Sequence, residues 1–260
     1  MKKLYVVGTN VSNSLSPTIF NYWFKKYNIN AKYSFIELNN KNLDKEIKKI
    51  LIDKNVIALN ITIPFKKKII KHIDFLDSHS SKIGAVNFVI NGPKIKGYNT
   101  DWQGYYRSLP RNINLKNKKI IIFGYGGAAH SIHYLLKKKG TKNLVIINRT
   151  QKKLLFEKNK KTTDRKKIKS HLKNSDIIIN TTPINPVEKK LVKEVSESTI
   201  ISDIVYKPKL TKFLKQFLNN KKIYGISMLI EQAIPCFSKC FSFKPTVDKE
   251  LIKIIDNKIK

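Results

Sequence analysis

Residues 118–131, KKIIIFGYGGAAHS, followed by residues 143–150, NLVIINRT, decide how this 260-residue chain folds. Ile120 to Phe123 is a short apolar run of β-branched and aromatic residues, the pattern of a buried strand. It breaks at Gly124-Tyr125-Gly126-Gly127-Ala128-Ala129, a G-x-G-x-x-A turn, and His130 to Lys139 continues with Ile132, Leu135 and Leu136 at helical spacing. Strand, glycine turn and helix together aim free backbone N–H groups at a pyrophosphate. The glycines permit close approach, and the helix N-terminus adds partial positive charge. The next strand, Leu144 to Ile147, ends in Asn148-Arg149-Thr150, with Lys152 and Lys153 just beyond. An acid at that strand end would hold a ribose 2′-hydroxyl, whereas Arg and Lys favour a 2′-phosphate. The expected cofactor is NADP.

Bulk properties narrow the class. With 41% hydrophobic residues the chain has enough apolar material for a substantial core, as one large domain or two smaller ones. Met1-Lys2-Lys3 runs straight into the strand-like Leu4 to Val7, so no signal peptide is read. No apolar run approaches the roughly 18 residues of a membrane span. Cys236 and Cys240 are spaced i,i+4, which suits two free thiols and no disulfide framework or metal site. A reducing, cytoplasmic compartment is expected.

The net charge of +34 taken alone points to polyanions. Yet only four of the 52 basic residues are Arg, namely Arg107, Arg111, Arg149 and Arg165. Sites that grip phosphate or read bases lean on Arg. Lys is instead spread along the whole chain with abundant Asn and Ile, as A+T-biased codon usage would produce. Weak, salt-sensitive binding to nucleic acid is expected, and a specific nucleic-acid function is not.

Strand and helix patterns alternate throughout. Leu4 to Val7, Tyr33 to Leu38 and Val56 to Ile61 read as strands, separated by helices over Pro17 to Tyr27 and Leu43 to Ile52. Phe88 to Ile90 and Lys94 to Tyr98 flank Asn91-Gly92-Pro93 as a hairpin. After the glycine loop come strands at Ile177 to Ile179 and Ile200 to Ile204, then helices at Leu210 to Leu218, Ser227 to Phe241 and Val247 to Ile259. The pattern predicts two α/β lobes with a boundary close to Thr100-Asp101. The segment between Thr150 and Asp176 is short, basic and polar where a dinucleotide lobe wants another strand, so that strand is expected to be eroded.

Polar clusters sit at the ends of the N-terminal strands, where parallel α/β sheets keep their ligand sites. Ser14 and Ser16 precede Pro17. Their hydroxyls with helix-start N–H groups suit a small carboxylate, while an equally good reading makes Ser16 an N-cap with Pro17 at N1. Asn60, Thr62 and Lys66 punctuate an apolar strand end. Asn87 closes Gly84-Ala85-Val86-Asn87, and Asp101 lies within GYNTDWQG, residues 97–104, where N-capping the next helix is its commoner fate. His130 and His133, i,i+3 on the cofactor helix, read as structural. No cluster has metal-ligand spacing, and no metal is expected.

In this order the motifs S-x-S-P, N-x-T-x-P-F-K, G-A-V-N, G-x-N-T-D-x-x-G, the glycine loop, N-R-T, D-x-x-Y (Asp203 to Tyr206) and G-x-x-M-L-x-E-Q-A (Gly225 to Ala233) resemble the shikimate dehydrogenase family over nearly the full chain. The resemblance implies a substrate-binding α/β domain, residues 1–101 with 231–260 as returning C-terminal helices, and a Rossmann-like NADP-binding domain, residues 102–230. It implies reversible NADPH-dependent reduction of 3-dehydroshikimate to shikimate, a CH–OH oxidoreductase step of chorismate and aromatic amino-acid biosynthesis. Ser14 and Ser16 would bind the substrate carboxylate with Tyr206 nearby. Thr62, Asn87, Asp101 and Gln232 would bind ring hydroxyls. Lys66 would exchange the proton with Asp101 beside it. Gly124, Tyr125, Gly126, Gly127, Ala128, Asn148, Arg149, Thr150, Lys152, Lys153, Ile204 and Gly225 would hold NADP. A homodimer is compatible with this reading.

Tyr125 departs from the family's usual Ala and is expected to add bulk near the pyrophosphate. Two rivals stay open at this point. One is a quinate/shikimate dehydrogenase of broader specificity, possibly with NAD, and Arg149 argues against it. The other is a basic binding protein on a degenerate scaffold, against which stand Lys66 and Asp101.

Overall fold

The computed structural model describes residues 1–157, 160–164 and 168–259; Arg165 and part of the basic 151–176 segment fall outside them. The chain divides into two units, Met1–Asp101 with Gln232–Lys258, and Trp102–Glu231 with Ile259.

The first unit is built on a mixed six-stranded sheet. Its elements are β1 (Lys2–Gly8), α1 (Ser16–Lys26), β2 (Ala31–Glu37), α2 (Leu43–Ile52), β3 (Val56–Ile61), β4 (Phe75–Leu76), α3 (Ser78–Ile83), β5 (Phe88–Ile90) and β6 (Lys96–Tyr98). The order is β2-β1-β3-β5-β6-β4. β1 pairs in parallel with β2 and β3, whereas β5 runs antiparallel to both β3 and β6. Strand alternation divides the side chains between faces. Val7, Leu59 and Ile61 join Ile47 of α2, Phe65 and Ile69 in one core cluster. Asn60, on the opposite parity, meets Tyr33 and Cys236.

The short α3 was not read from the sequence, although its signals were present. Asp77 caps it by accepting from the Ser80 amide, and Gly84 ends it in the left-handed region at φ 65°.

The second unit holds α4 (Asp101–Ser108, beginning at the boundary), β7 (Lys119–Phe123), α5 (Gly127–Lys138), β8 (Asn143–Ile147), α6 (Ile168–Leu172), β9 (Ile177–Asn180), β10 (Ile200–Asp203), α7 (Lys212–Lys215) and β11 (Lys222–Ile223). Its sheet, β11-β10-β9-β7-β8, is parallel at every pairing. Parallel sheets bury both faces, and here Ile120, Ile122, Ile177 and Ile179 fill one core while Ile121, Phe123, Ile178 and Ile201 fill another. α8 (Gly225–Phe241) crosses from one unit into the other at Gln232, and α9 (Lys249–Lys258) ends the first.

One expectation changes. The helix expected over Leu210 to Leu218 shrinks to Lys212–Lys215, because Thr211 caps it by accepting from the Leu214 amide and the turn closes at once at Gln216. Beside β8, the described part of residues 150–176 offers no strand, only isolated bridges from Thr163 to Ile147 and from Lys161 to Lys153, and then α6. No described helix is long and apolar enough to cross a membrane.

Candidate active site

In the first unit, the ends of β3, β5 and β6 and the second half of α8 bring polar side chains together around one ion pair. Lys66 Nζ donates to Asp101 Oδ2 at 2.6 Å, with the two side chains 13% and 6% exposed. Asp101 Oδ1 accepts from Asn87 Nδ2 at 2.8 Å. Both carboxylate oxygens of Asp101 therefore face the cluster, and the N-cap reading of Asp101 is not what the geometry shows. Asp101 is the first residue of α4, and its own amide is received by Asn99 Oδ1 at 3.1 Å.

Asn87 is the hub of the cluster. Its Oδ1 accepts the Thr100 amide at 2.7 Å. Its Nδ2 also lies 2.9 Å from Thr100 Oγ1 and 3.2 Å from Gln232 Oε1. A buried amide with its bonds made is stiff, and this one fixes where Asp101 points. Lys66 is placed by its backbone, whose carbonyl receives the Val86 amide at 2.7 Å. Thr62, half-buried, donates its amide to Val7 at 2.9 Å. Its methyl fills the space left by Gly8, where a Cβ would lie 2.4 Å from Thr62 Cγ2.

Three participants were not given roles from the sequence. Thr100 binds Asn87. Asn60 accepts from the Tyr33 hydroxyl at 2.8 Å and sits 3.4 Å from the Asn87 carbonyl. Cys236 Sγ is 3.2 Å from Thr100 Oγ1 and 3.9 Å from Gln232 Oε1. Burial pushes the Cys236 thiol up to about 12, so it stays protonated. The signals were adjacency to Asp101 for Thr100 and i,i+4 spacing from Gln232 for Cys236.

Ser16 is not the N-cap. Leu15 holds that position without a side-chain cap, and Ser16 with Pro17 opens α1. The Ser16 amide is received by Ser14 Oγ at 3.3 Å, and the Ser14 amide by the Val11 carbonyl at 2.9 Å. Two hydroxyls and a helix start are thus held side by side, and no helix amide takes the Ser16 hydroxyl as its cap.

In the second unit, Gly124 needs its glycine. Its φ is 94°, and a Cβ there would meet Thr181 Oγ1 at 2.6 Å. A Cβ at Gly126, the N-cap of α5, would meet nothing within 4 Å. That open backbone ahead of an uncapped helix start is the cradle a pyrophosphate requires. Asn148 folds the end of β8 by donating Nδ2 to the Thr150 carbonyl at 2.7 Å. Arg149, Lys152 and Lys153 are exposed, and none of them pairs with a carboxylate among the described residues. Gly225 packs on Ile204, where a Cβ would lie 2.4 Å from the Ile204 carbonyl oxygen. Asp203, buried, accepts from Thr211 Oγ1 at 2.7 Å and from the Val205 amide at 3.0 Å, and burial holds its carboxyl above the usual range. It shapes the turn that presents the half-buried Tyr206.

The bulk of Tyr125, expected near the pyrophosphate, is turned into the core. It is 3% exposed, with its ring in the core beside Ala129 and Ile132. Its hydroxyl lies 3.0 Å from His133 Nδ1. Burial pushes His133 down to about 4, against the opposite pull of Glu157. An unfolded His titrates near 6.5. Between these values the unfolded chain holds the extra proton, so this contribution is fully present above pH 6.5 and fades toward pH 4. Thermal unfolding measured from pH 7 to 5 should show a falling Tm in wild type and a flatter profile in His133→Gln. Equal slopes would exclude His133 as the source.

Both halves of the chain match family descriptions. The shikimate dehydrogenase substrate binding domain matches residues 6–89, and shikimate / quinate 5-dehydrogenase matches residues 108–225. A shikimate dehydrogenase (NADP(+)) from Clostridium botulinum (strain Loch Maree / Type A3) is 39% identical over 239 residues, covering 88% of this chain and 92% of the relative. Another from Pelagibacter ubique (strain HTCC1062) is 37% identical over 269 residues, covering 98% and 100%. The crystal structure of shikimate dehydrogenase 1 from Peptoclostridium difficile superposes with a TM-score of 0.84 at 28% identity, over 100% of this chain and 98% of that one. A match on both halves and identity sustained along the chain agree with the lysine–aspartate site and the glycine loop, and the chain belongs to the shikimate dehydrogenase family.

Proposed function

We propose that this chain interconverts 3-dehydroshikimate and shikimate with NADPH and NADP in the cytoplasm, as a step of aromatic amino-acid biosynthesis. The carrying observation is the Lys66–Asp101 pair at 2.6 Å, set among the amides and hydroxyls of Asn87, Thr100 and Gln232. When bound, the nicotinamide supplies the hydride. Lys66 answers the negative charge that grows on the ketone oxygen, first by its charge and then by giving up a proton from Nζ. Asp101 orients that ammonium, and Asn87 orients Asp101. A substrate rich in hydroxyls needs a ring of donors and acceptors already in place, which Thr62, Asn87, Asp101 and Gln232 provide. Ser14 and Ser16 take the carboxylate.

The residues present fit NADP. Gly124 to Ala128 and the start of α5 would hold the pyrophosphate, Arg149, Thr150, Lys152 and Lys153 the 2′-phosphate, and Ile204 with Gly225 the nicotinamide end. The cytoplasmic assignment is supported by two free cysteines, Cys236 buried and Cys240 half-buried.

The test is nicotinamide absorbance during oxidation of shikimate and of quinate, each with NADP and NAD. Turnover of shikimate with NADP at least about tenfold above the other three combinations is the expected result; one discriminating group is commonly worth that much. Comparable rates on quinate would transfer the chain to the broader-specificity form. No turnover in folded protein would leave it a binding protein.

A further inference from the structure

Beside β8 the described residues form no further strand, and the segment that lies there is held in an unusual way. Residues 152–157 run out beside residues 160–163 as the two sides of a narrow ribbon. Thr162 donates its amide to the Lys152 carbonyl at 2.8 Å, and Leu154 donates to the Lys160 carbonyl at 2.9 Å. The Lys152 amide goes to Thr162 Oγ1 at 2.9 Å. A single two-stranded ribbon is marginally stable in water, so something else must fix it.

That anchor is Tyr125. The Leu155 amide donates to the Tyr125 hydroxyl at 2.9 Å. With one lone pair used, the phenolic hydrogen is free to donate to His133 Nδ1, 3.0 Å away. The His133 proton then sits on Nε2, which lies 3.5 Å from Glu157 Oε1. Phe156 packs its ring edge-on against His133 at 4.9 Å and tilted against Tyr134 at 5.7 Å. Leu155 and Phe156 are thereby tied to α5 and to the glycine loop itself. The same ribbon carries Lys152 and Lys153, two residues beyond the Arg149-Thr150 turn.

We propose that Tyr125 is a positioning residue for the 2′-phosphate of the cofactor: its buried hydroxyl, shared between His133 and the Leu155 amide, fixes the ribbon that holds Lys152 and Lys153 beside Arg149. The proposal rests on the NADP reading above. The departure in the glycine loop thereby does part of the work of a strand that the described residues beside β8 do not form. The Tyr125 side chain is 3% exposed in the core, so it contributes to the glycine loop only through its backbone.

The test is equilibrium binding by calorimetry to wild type and Tyr125→Phe, which keeps the ring and removes only the hydroxyl. The probes are NADP, NAD, adenosine 2′,5′-bisphosphate and adenosine 5′-monophosphate. Loss of one buried hydrogen bond should weaken NADP and the bisphosphate by about fivefold, leaving NAD and the monophosphate within about twofold. Limited trypsin digestion should at the same time quicken at the lysines of the ribbon. Phe156→Ala releases the anchor from the other side without touching the glycine loop, and should give the same pattern if Tyr125→Phe folds poorly. Equal weakening of all four probes, or no weakening, overturns the proposal. A wild type that binds NADP and NAD equally would sink the NADP reading and this proposal with it, whereas a preference that survives both variants sinks the proposal alone.

Discussion

Replacing Lys66 by Ala should lower kcat by about 10²–10⁴-fold, the range a positioned proton donor supplies. Shikimate binding should stay within a few-fold, because Asn87, Thr100 and Gln232 hold one another without the ammonium. Pre-steady-state hydride transfer and equilibrium binding of shikimate separate the two effects. Lys66→Arg keeps the charge but should not rescue the rate. Its planar fork cannot reproduce a single N–H at 2.6 Å from Asp101, and a guanidinium does not release its proton. A variant with raised KM and unchanged kcat would move Lys66 from proton transfer to binding.

The second large effect is expected on stability. Phe237, fully buried on α8, has ring neighbours on α1 in Trp23 at 5.2 Å, Phe20 at 6.0 Å and Phe24 at 6.1 Å, and on its own helix in Phe241 at 4.7 Å. Phe237→Ala should cost about 3–5 kcal/mol, as lost transfer energy plus a cavity the surrounding rings cannot collapse to fill. For a chain of this size that is a fall in Tm of roughly 10 °C, read by scanning calorimetry. Phe237→Leu should recover more than half. A loss under about 1 kcal/mol in the Ala variant would mean the cluster repacks around the gap. Cys236 precedes Phe237 and Gln232 lies one turn further back, so the aromatic cluster also sets the register of the site's α8 side.

What could be read in advance follows from how local each signal is. The glycine loop, β7 and α5 are written in one continuous stretch, and their spans agree with the pattern to within three residues. Lys66 stands out because it follows an apolar strand end, whereas Asp101 reads first as an N-cap and takes its role from the order of the motifs. The two-residue strands Phe75–Leu76 and Lys222–Ile223 carry no periodicity at all, since they exist only through their neighbours. Ser16 was ambiguous because Ser before Pro signals an N-cap, and only the backbone of Leu15 shows which residue holds that place. The direction of the Tyr125 ring was illegible for a different reason. It depends on His133 and Leu155, eight and thirty residues away, and on described residues beside β8 that form no strand to fill the space.

That absence has a physical consequence of its own. β8 ends its sheet, and the described coverage of its outer side is the single bridge from Thr163 to Ile147. An uncovered strand edge is a template on which another copy can pair. The chain's +34 charge opposes such an encounter by keeping copies apart. The repulsion reaches about 10 Å at 0.1 M salt and only about 3 Å at 1 M. The abundant lysines thus act as a colloidal guard on a sheet edge whose described cover is one bridge, and that guard weakens as ionic strength rises.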